Sequence, residues 1–116
     1  MPQRRRAEGL GARLLISGVL LLSSLGASAQ DGPSAELGKQ IFTAEAEPPC
    51  ALCHALADAG AAGEIGPNLD ELRPTEEQVR AAVRGGIGVM PPYETLSEAE
   101  IAAVARYVAS AVGQAR

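Results

Sequence analysis

The chain has little of what usually fills a protein core or builds a metal cage. Its 116 residues include no tryptophan, one phenylalanine and two tyrosines, so the large aromatic fillers are almost missing. It has one histidine, His54, and two cysteines, Cys50 and Cys53. A closed structural zinc site takes four protein ligands, so one here would have to recruit carboxylates. A thioredoxin-like cysteine pair belongs in a βαβ setting, and no stretch shows the alternation of a strand. Basic side chains are scarce as well. Beyond position 29 only Lys39, Arg73, Arg80, Arg84, Arg106 and Arg116 remain, against thirteen Asp and Glu. That balance argues against nucleic acid as a partner, because a phosphate backbone is held by clustered cations. A partner with a basic or largely apolar docking face suits an acidic chain better.

The longest apolar run, Leu14 to Leu25, is interrupted by Gly18 and by Ser23-Ser24. It falls short of the about 20 apolar residues of a spanning helix. Four arginines (Arg4, Arg5, Arg6, Arg13) precede or open it, and the small residues Ala27-Ser28-Ala29 follow it. This is the layout of an export signal. Residues 1–29 are expected to be a cleaved signal peptide and residues 30–116 the functional domain, delivered to a bacterial periplasm. The arginine cluster leaves both the general and the twin-arginine route open. A retained membrane anchor is the alternative that the short, broken run argues against.

A domain this small buries only about 60% of the surface its unfolded chain exposes, so it commonly needs a staple such as a metal, a disulfide or a cofactor. With three aromatics available, a flat apolar prosthetic group would fill the gap. Three stretches read as helix. The first runs from a Ser34 N-cap through Leu37, Ile41 and Phe42 to about Ala44, before Pro48-Pro49. In the second, Thr75 and Gln78 have the spacing of a capping box, and Gly85-Gly86 ends the helix. The third opens on a Ser97/Glu100 capping box, and Ile101, Val104, Ala105, Val108 and Val112 follow at helical spacing. The Gly/Ala-rich stretch 57–66 and the segment 85–96 read as loops. The expected class is all-α with long loops, and loops of that length in a small domain usually wrap something.

Cys50-Ala51-Leu52-Cys53-His54 is C-x-x-C-H, the spacing of covalent haem attachment. Two thiols on one helical turn can reach the two vinyl groups of the porphyrin, and the histidine that follows lies under the iron. A plain Cys50–Cys53 disulfide in an exported protein is the simplest competing reading. With the signal removed Met90 is the only methionine left, set in Gly88-Val89-Met90-Pro91-Pro92. Prolines restrict such a loop, which suits a sulfur held against iron better than a core filler. His54 and Met90 are therefore the candidate axial ligands, and Cys50 and Cys53 the candidate attachment points.

With these residues in view, the chain resembles the class I cytochromes c from Leu37 to about Val112. The resemblance implies the cytochrome c fold, one covalent haem c and electron transfer without catalysis. It pairs Gly38 and Phe42 on the first helix with Tyr107 on the last, the glycine permitting a close crossing. It also reads Ile65-Gly66-Pro67-Asn68-Leu69 as the stretch in which the Pro67 carbonyl accepts a hydrogen bond from His54, fixing the ring's tautomer. More narrowly, Cys50 to Leu72 and on to Met90 is similar to monohaem cytochromes that accept electrons from bacterial sulfite dehydrogenases. That likeness implies a periplasmic dehydrogenase as donor and a terminal oxidase or another cytochrome as acceptor.

The docking face is expected at Ala51-Leu52 and the loop Val89–Tyr93. The lysine-rich ring of many family members has no counterpart here. Tyr93 could shield the haem, bond a propionate or stand exposed; Arg80 and Arg84 could pair with propionates or remain solvated. A five-coordinate haem sensor or small haem enzyme would need Met90 unbound. Whether the chain works free or as a subunit is open.

Overall fold

Two helix starts written locally in the sequence form as expected. The computed structural model describes residues 33–113, so the export-signal reading of residues 1–29 lies outside the described residues. Helix α4 (Glu76–Gly85) begins where the Thr75 hydroxyl accepts the Gln78 N–H and the Gln78 side chain accepts the Thr75 N–H. Helix α5 (Glu98–Ala111) begins with the same reciprocal pair between Ser97 and Glu100. Both boxes satisfy N–H groups that a helix start leaves without partners.

Helix α1 (Pro33–Gln40) starts one residue before Ser34, which lies inside the first turn and not at the cap. Proline suits that place because its missing N–H needs no partner there. The helix widens into a π-type turn, Ile41–Glu45, and stops at Ala46, whose backbone is extended. Widening keeps Ile41 and Phe42 pointing inward, and both are buried.

The core sits where α1 crosses α5. A Cβ at Gly38 would lie 2.4 Å from the Ala103 carbonyl oxygen and 2.5 Å from Tyr107 Cβ, so only glycine lets the backbones meet at this distance. One turn on, Phe42 and Tyr107 meet edge to face, with ring centroids 6.1 Å apart at 64°. Ile41, Ile101, Val104 and Val108 close around them. Helix α4 packs on α5 through Val83.

The connecting segments hold more structure than their composition suggests. Helix α2 (Cys50–Cys53) is one turn carrying the two cysteines. Strands β1 (Ala55–Leu56) and β2 (Ala61–Ala62) pair antiparallel around a 3₁₀ turn, Ala57–Ala59. Helix α3 (Leu69–Leu72) is a second single turn, capped by the Asn68 side chain accepting the Asp70 N–H. The ladder corrects the expectation that the region from residue 57 to 66 is plain loop, while the architecture stays mostly helical. Two-residue strands are too short to show alternation, and one-turn helices too short to show a periodic face.

Candidate haem site

His54 follows α2 in extended conformation, so its ring leaves the helix axis and turns toward the next segment. There its Nδ1 lies 2.8 Å from the Pro67 carbonyl oxygen. A carbonyl can only accept, so Nδ1 carries the proton and Nε2 is the nitrogen free to bind a metal. Gly66 makes the approach possible. A Cβ there would fall 2.5 Å from Cε1, 2.8 Å from Nδ1 and 3.0 Å from Nε2 of the ring. The Gly66 N–H also donates to the Cys53 carbonyl at 2.7 Å, joining the segment to the end of α2. Gly63 is equally confined, since its Cβ would sit 2.6 to 2.7 Å from the backbone of Leu52, Cys53 and His54.

The thiols of Cys50 and Cys53 are both free, one buried and one half-buried. Burial pushes the Cys50 thiol up to about 11. The first cysteine of a redox pair works as a thiolate with a lowered value, so this environment is opposite to that of a thioredoxin-like nucleophile. Among the described residues no group of three or more His, Cys, Asp or Glu could hold a metal ion, so carboxylates do not complete a zinc cage.

Met90 lies in a tight turn closed at both ends. Ile87 N–H donates to the Met90 carbonyl at 3.0 Å, and Met90 N–H donates to the Ile87 carbonyl at 2.9 Å. Gly88, at φ +57°, takes the first central position, where a side chain would strain the backbone. The Met90 side chain is half-buried against the core, while Val89 beside it is 88% exposed. Leu52, Ile65 and Ile87 are also exposed apolar residues of these segments. The sequence-predicted residues thus fall into two groups. His54 is hydrogen-bonded to Cys50 through its N–H and to Pro67 through its ring, and the Cys53 carbonyl accepts the N–H of Gly66, next to Pro67. Met90 stands on a separate loop, tied to the first group where the Tyr93 hydroxyl donates to the Pro48 carbonyl at 2.8 Å.

Tyr93 is therefore neither an exposed aromatic nor a free hydroxyl for a propionate. It is buried, and burial raises it to about 12. The two arginines are taken as well: Arg80 pairs with Glu76 at 2.5 Å, and Arg84 pairs with Glu98. Residues that sequence reasoning passed over include Gly63 and Asp70. The Asp70 carboxylate accepts the Ala57 N–H and the Gly113 N–H, each at 2.8 Å, and these two bonds hold it below the usual carboxylate range. Nothing local in the sequence signals either role, because both depend on segments that meet only in the fold.

The residues present fit a covalently held haem. They offer two thiols on one turn, an imidazole with its far nitrogen free, a soft thioether on a fixed loop and apolar side chains left uncovered nearby. A zinc site or a redox disulfide explains fewer of these features.

Comparison with known proteins agrees. A family profile described as cytochrome c oxidase, cbb3-type, subunit III matches residues 33–108. The crystal structure of the c-type cytochrome SorU from Sinorhizobium meliloti superposes with a TM-score of 0.68. The two share 56% identity over 69% of this chain and 92% of that one. No curated protein matches.

Proposed function

The chain belongs to the c-type cytochrome family to which that profile and SorU point, and from this premise we propose that it is a periplasmic one-electron carrier whose haem iron is held between His54 and Met90. The family supplies haem c and a role in electron transfer. The observation that carries the residue-level reading is the His54 Nδ1 to Pro67 carbonyl contact at 2.8 Å, which leaves Nε2 as the free nitrogen. Cys50 and Cys53 are the attachment points. A haem bound there supplies the ferric/ferrous couple, and a sulfur ligand favours its reduced form.

The Pro67 carbonyl fixes the His54 ring so that little reorganises when the charge changes. Met90, on its closed turn, would supply the second ligand, and a haem held by both residues would have no position for a substrate. These residues serve a carrier and not a catalyst. No described helix is long and apolar enough to cross a membrane.

Leu52, Ile87 and Val89 give the docking face a small apolar centre. Most described cations are already bound: Lys39 to Asp58, Arg80 and Arg106 to Glu76, Arg84 to Glu98. A partner with basic residues around an apolar patch fits that surface, in a transient contact of under about 1,200 Å². The donor we favour is a bacterial sulfite dehydrogenase, on the narrower resemblance of Cys50–Leu72 and Met90. The acceptor is a terminal oxidase or another cytochrome.

Absorption spectra of the periplasmically matured protein, oxidised and reduced, test the ligand assignment against Met90→Ala. Sharp low-spin c-type bands in the wild type, replaced by a high-spin, ligand-binding iron in the variant, are expected. A wild-type iron that already binds carbon monoxide would move the protein to the sensor or haem-enzyme class. A colourless protein from a host with working haem attachment would end the carrier reading.

A further inference from the structure

Holding iron between His54 and Met90 requires two segments far apart in the sequence to keep a fixed spacing. One bears Cys50, Cys53 and His54; the other bears Met90. Tyr93 spans them. Its hydroxyl donates to the carbonyl of Pro48, two residues before the first cysteine, at 2.8 Å. Its N–H donates to the Val83 carbonyl in the last turns of α4 at 2.9 Å. Its side chain is buried, with the residue 6% exposed.

Only Pro91 and Pro92 separate Tyr93 from Met90, and their φ angles are locked, so a shift of Tyr93 reaches Met90 with little slack. On the other side of the turn, Gly86 presses on the same loop, where a Cβ would lie 2.7 Å from the Met90 carbonyl oxygen.

We propose that Tyr93 is a positioning residue whose hydroxyl, bonded to the Pro48 carbonyl, holds the Met90 loop against the haem-attachment segment and so sets how readily an outside ligand displaces the Met90 sulfur from iron. The proposal rests on the His54/Met90 reading. Tyr107 provides an internal control. It is equally buried and its hydroxyl donates to Asp58 at 2.7 Å, but it joins α5 to the 3₁₀ turn and lies outside the Met90 loop.

The experiment titrates imidazole into ferric holo-protein of the wild type, Tyr93→Phe and Tyr107→Phe, following loss of the sulfur-to-iron charge-transfer band. Both variants keep the ring and lose one partly buried hydrogen bond, so both are expected to melt a few degrees lower. Tyr93→Phe is expected to bind imidazole about tenfold more tightly, the effect of about one such bond, whereas Tyr107→Phe stays within about twofold of wild type. If Tyr93→Phe shifts imidazole affinity no more than Tyr107→Phe, the tyrosine is merely structural and the proposal is overturned while the ligand reading stands. If the wild type has no sulfur-to-iron band, the ligand reading itself falls and takes the positioning role with it.

Discussion

The α1/α5 crossing and the segments that carry the site are built on different terms. At the crossing, Ile41, Phe42, Ile101, Val104, Tyr107 and Val108 are buried against one another, and the interface closes with protein atoms alone. The segments from 46 to 69 and from 86 to 96 bury far less. Ala46, Cys50, Leu56, Leu69 and Tyr93 turn inward, while Leu52, Ile65, Ile87 and Val89 stay exposed. Single hydrogen bonds hold them: His54 to Pro67, Gly66 to Cys53, Tyr93 to Pro48, and Asp70 to Ala57. The first region is a scaffold that specifies itself. The second is a frame that leaves apolar side chains available to a prosthetic group, and this is where a chain with three aromatics makes up its shortage.

Removing the group should break that comparison most severely. Changing Cys50 and Cys53 together to serine is expected to abolish covalent haem and leave segments 46–69 and 86–96 without hydrogen-exchange protection. The α1/α5 contacts should be the last to keep residual protection. Native-like protection of the loops in the colourless variant would show that they need no cofactor.

The scaffold can be struck separately. Gly38→Ala places a Cβ against the backbone of Ala103, which cannot yield as a side-chain tip would. A loss of about 3 kcal/mol in denaturant unfolding is expected, with haem attachment and low-spin bands retained in the folded fraction.

The smallest expected effect lies at the seam between the two regions. Asp70 joins Ala57 of the loop segment to Gly113 beyond the end of α5. Its folded value is lowered, so its contribution is complete above the unfolded carboxylate value, near about 4, and disappears as pH falls through the lower folded one. Asp70→Asn should therefore cost about 1 kcal/mol near pH 7, the screened end of the range for bonds to a charged acceptor. Wild type and variant should converge in acid. A difference that persists unchanged to the lowest pH would assign the effect to packing.

The sequence discloses these two regions unequally, for a physical reason. Helices α4 and α5 are legible because a capping box is a contact between residues three apart, and both boxes form. The crossing is legible through the resemblance, which pairs Gly38 and Phe42 with Tyr107. The C-x-x-C-H spacing marks the histidine side of the site because that chemistry is local in sequence, whereas the Gly66-Pro67 pair is legible only through the resemblance, since Pro67 meets His54 across thirteen residues.

Tyr93 was not legible in the same way, since its hydroxyl meets a carbonyl 45 residues away. Helix α3 and the β1/β2 ladder escaped because four residues and two residues carry too little periodicity to read. Arg80 and Arg84 have the spacing to reach one external anion, and their carboxylate partners Glu76 and Glu98 become evident only in the fold.

The glycine crossing also bears on how the molecule folds. Helices α1 and α5 come together only after a loop of about fifty residues has closed, and closing it costs entropy before any contact repays it. Every candidate ligand lies inside that loop. Such long-range contacts demand more chain entropy than the capping boxes, whose partners lie three residues apart. The crossing that completes the core therefore also closes the segment that carries the site, so Gly38 bears on the enclosure of the site as well as on the stability of the core.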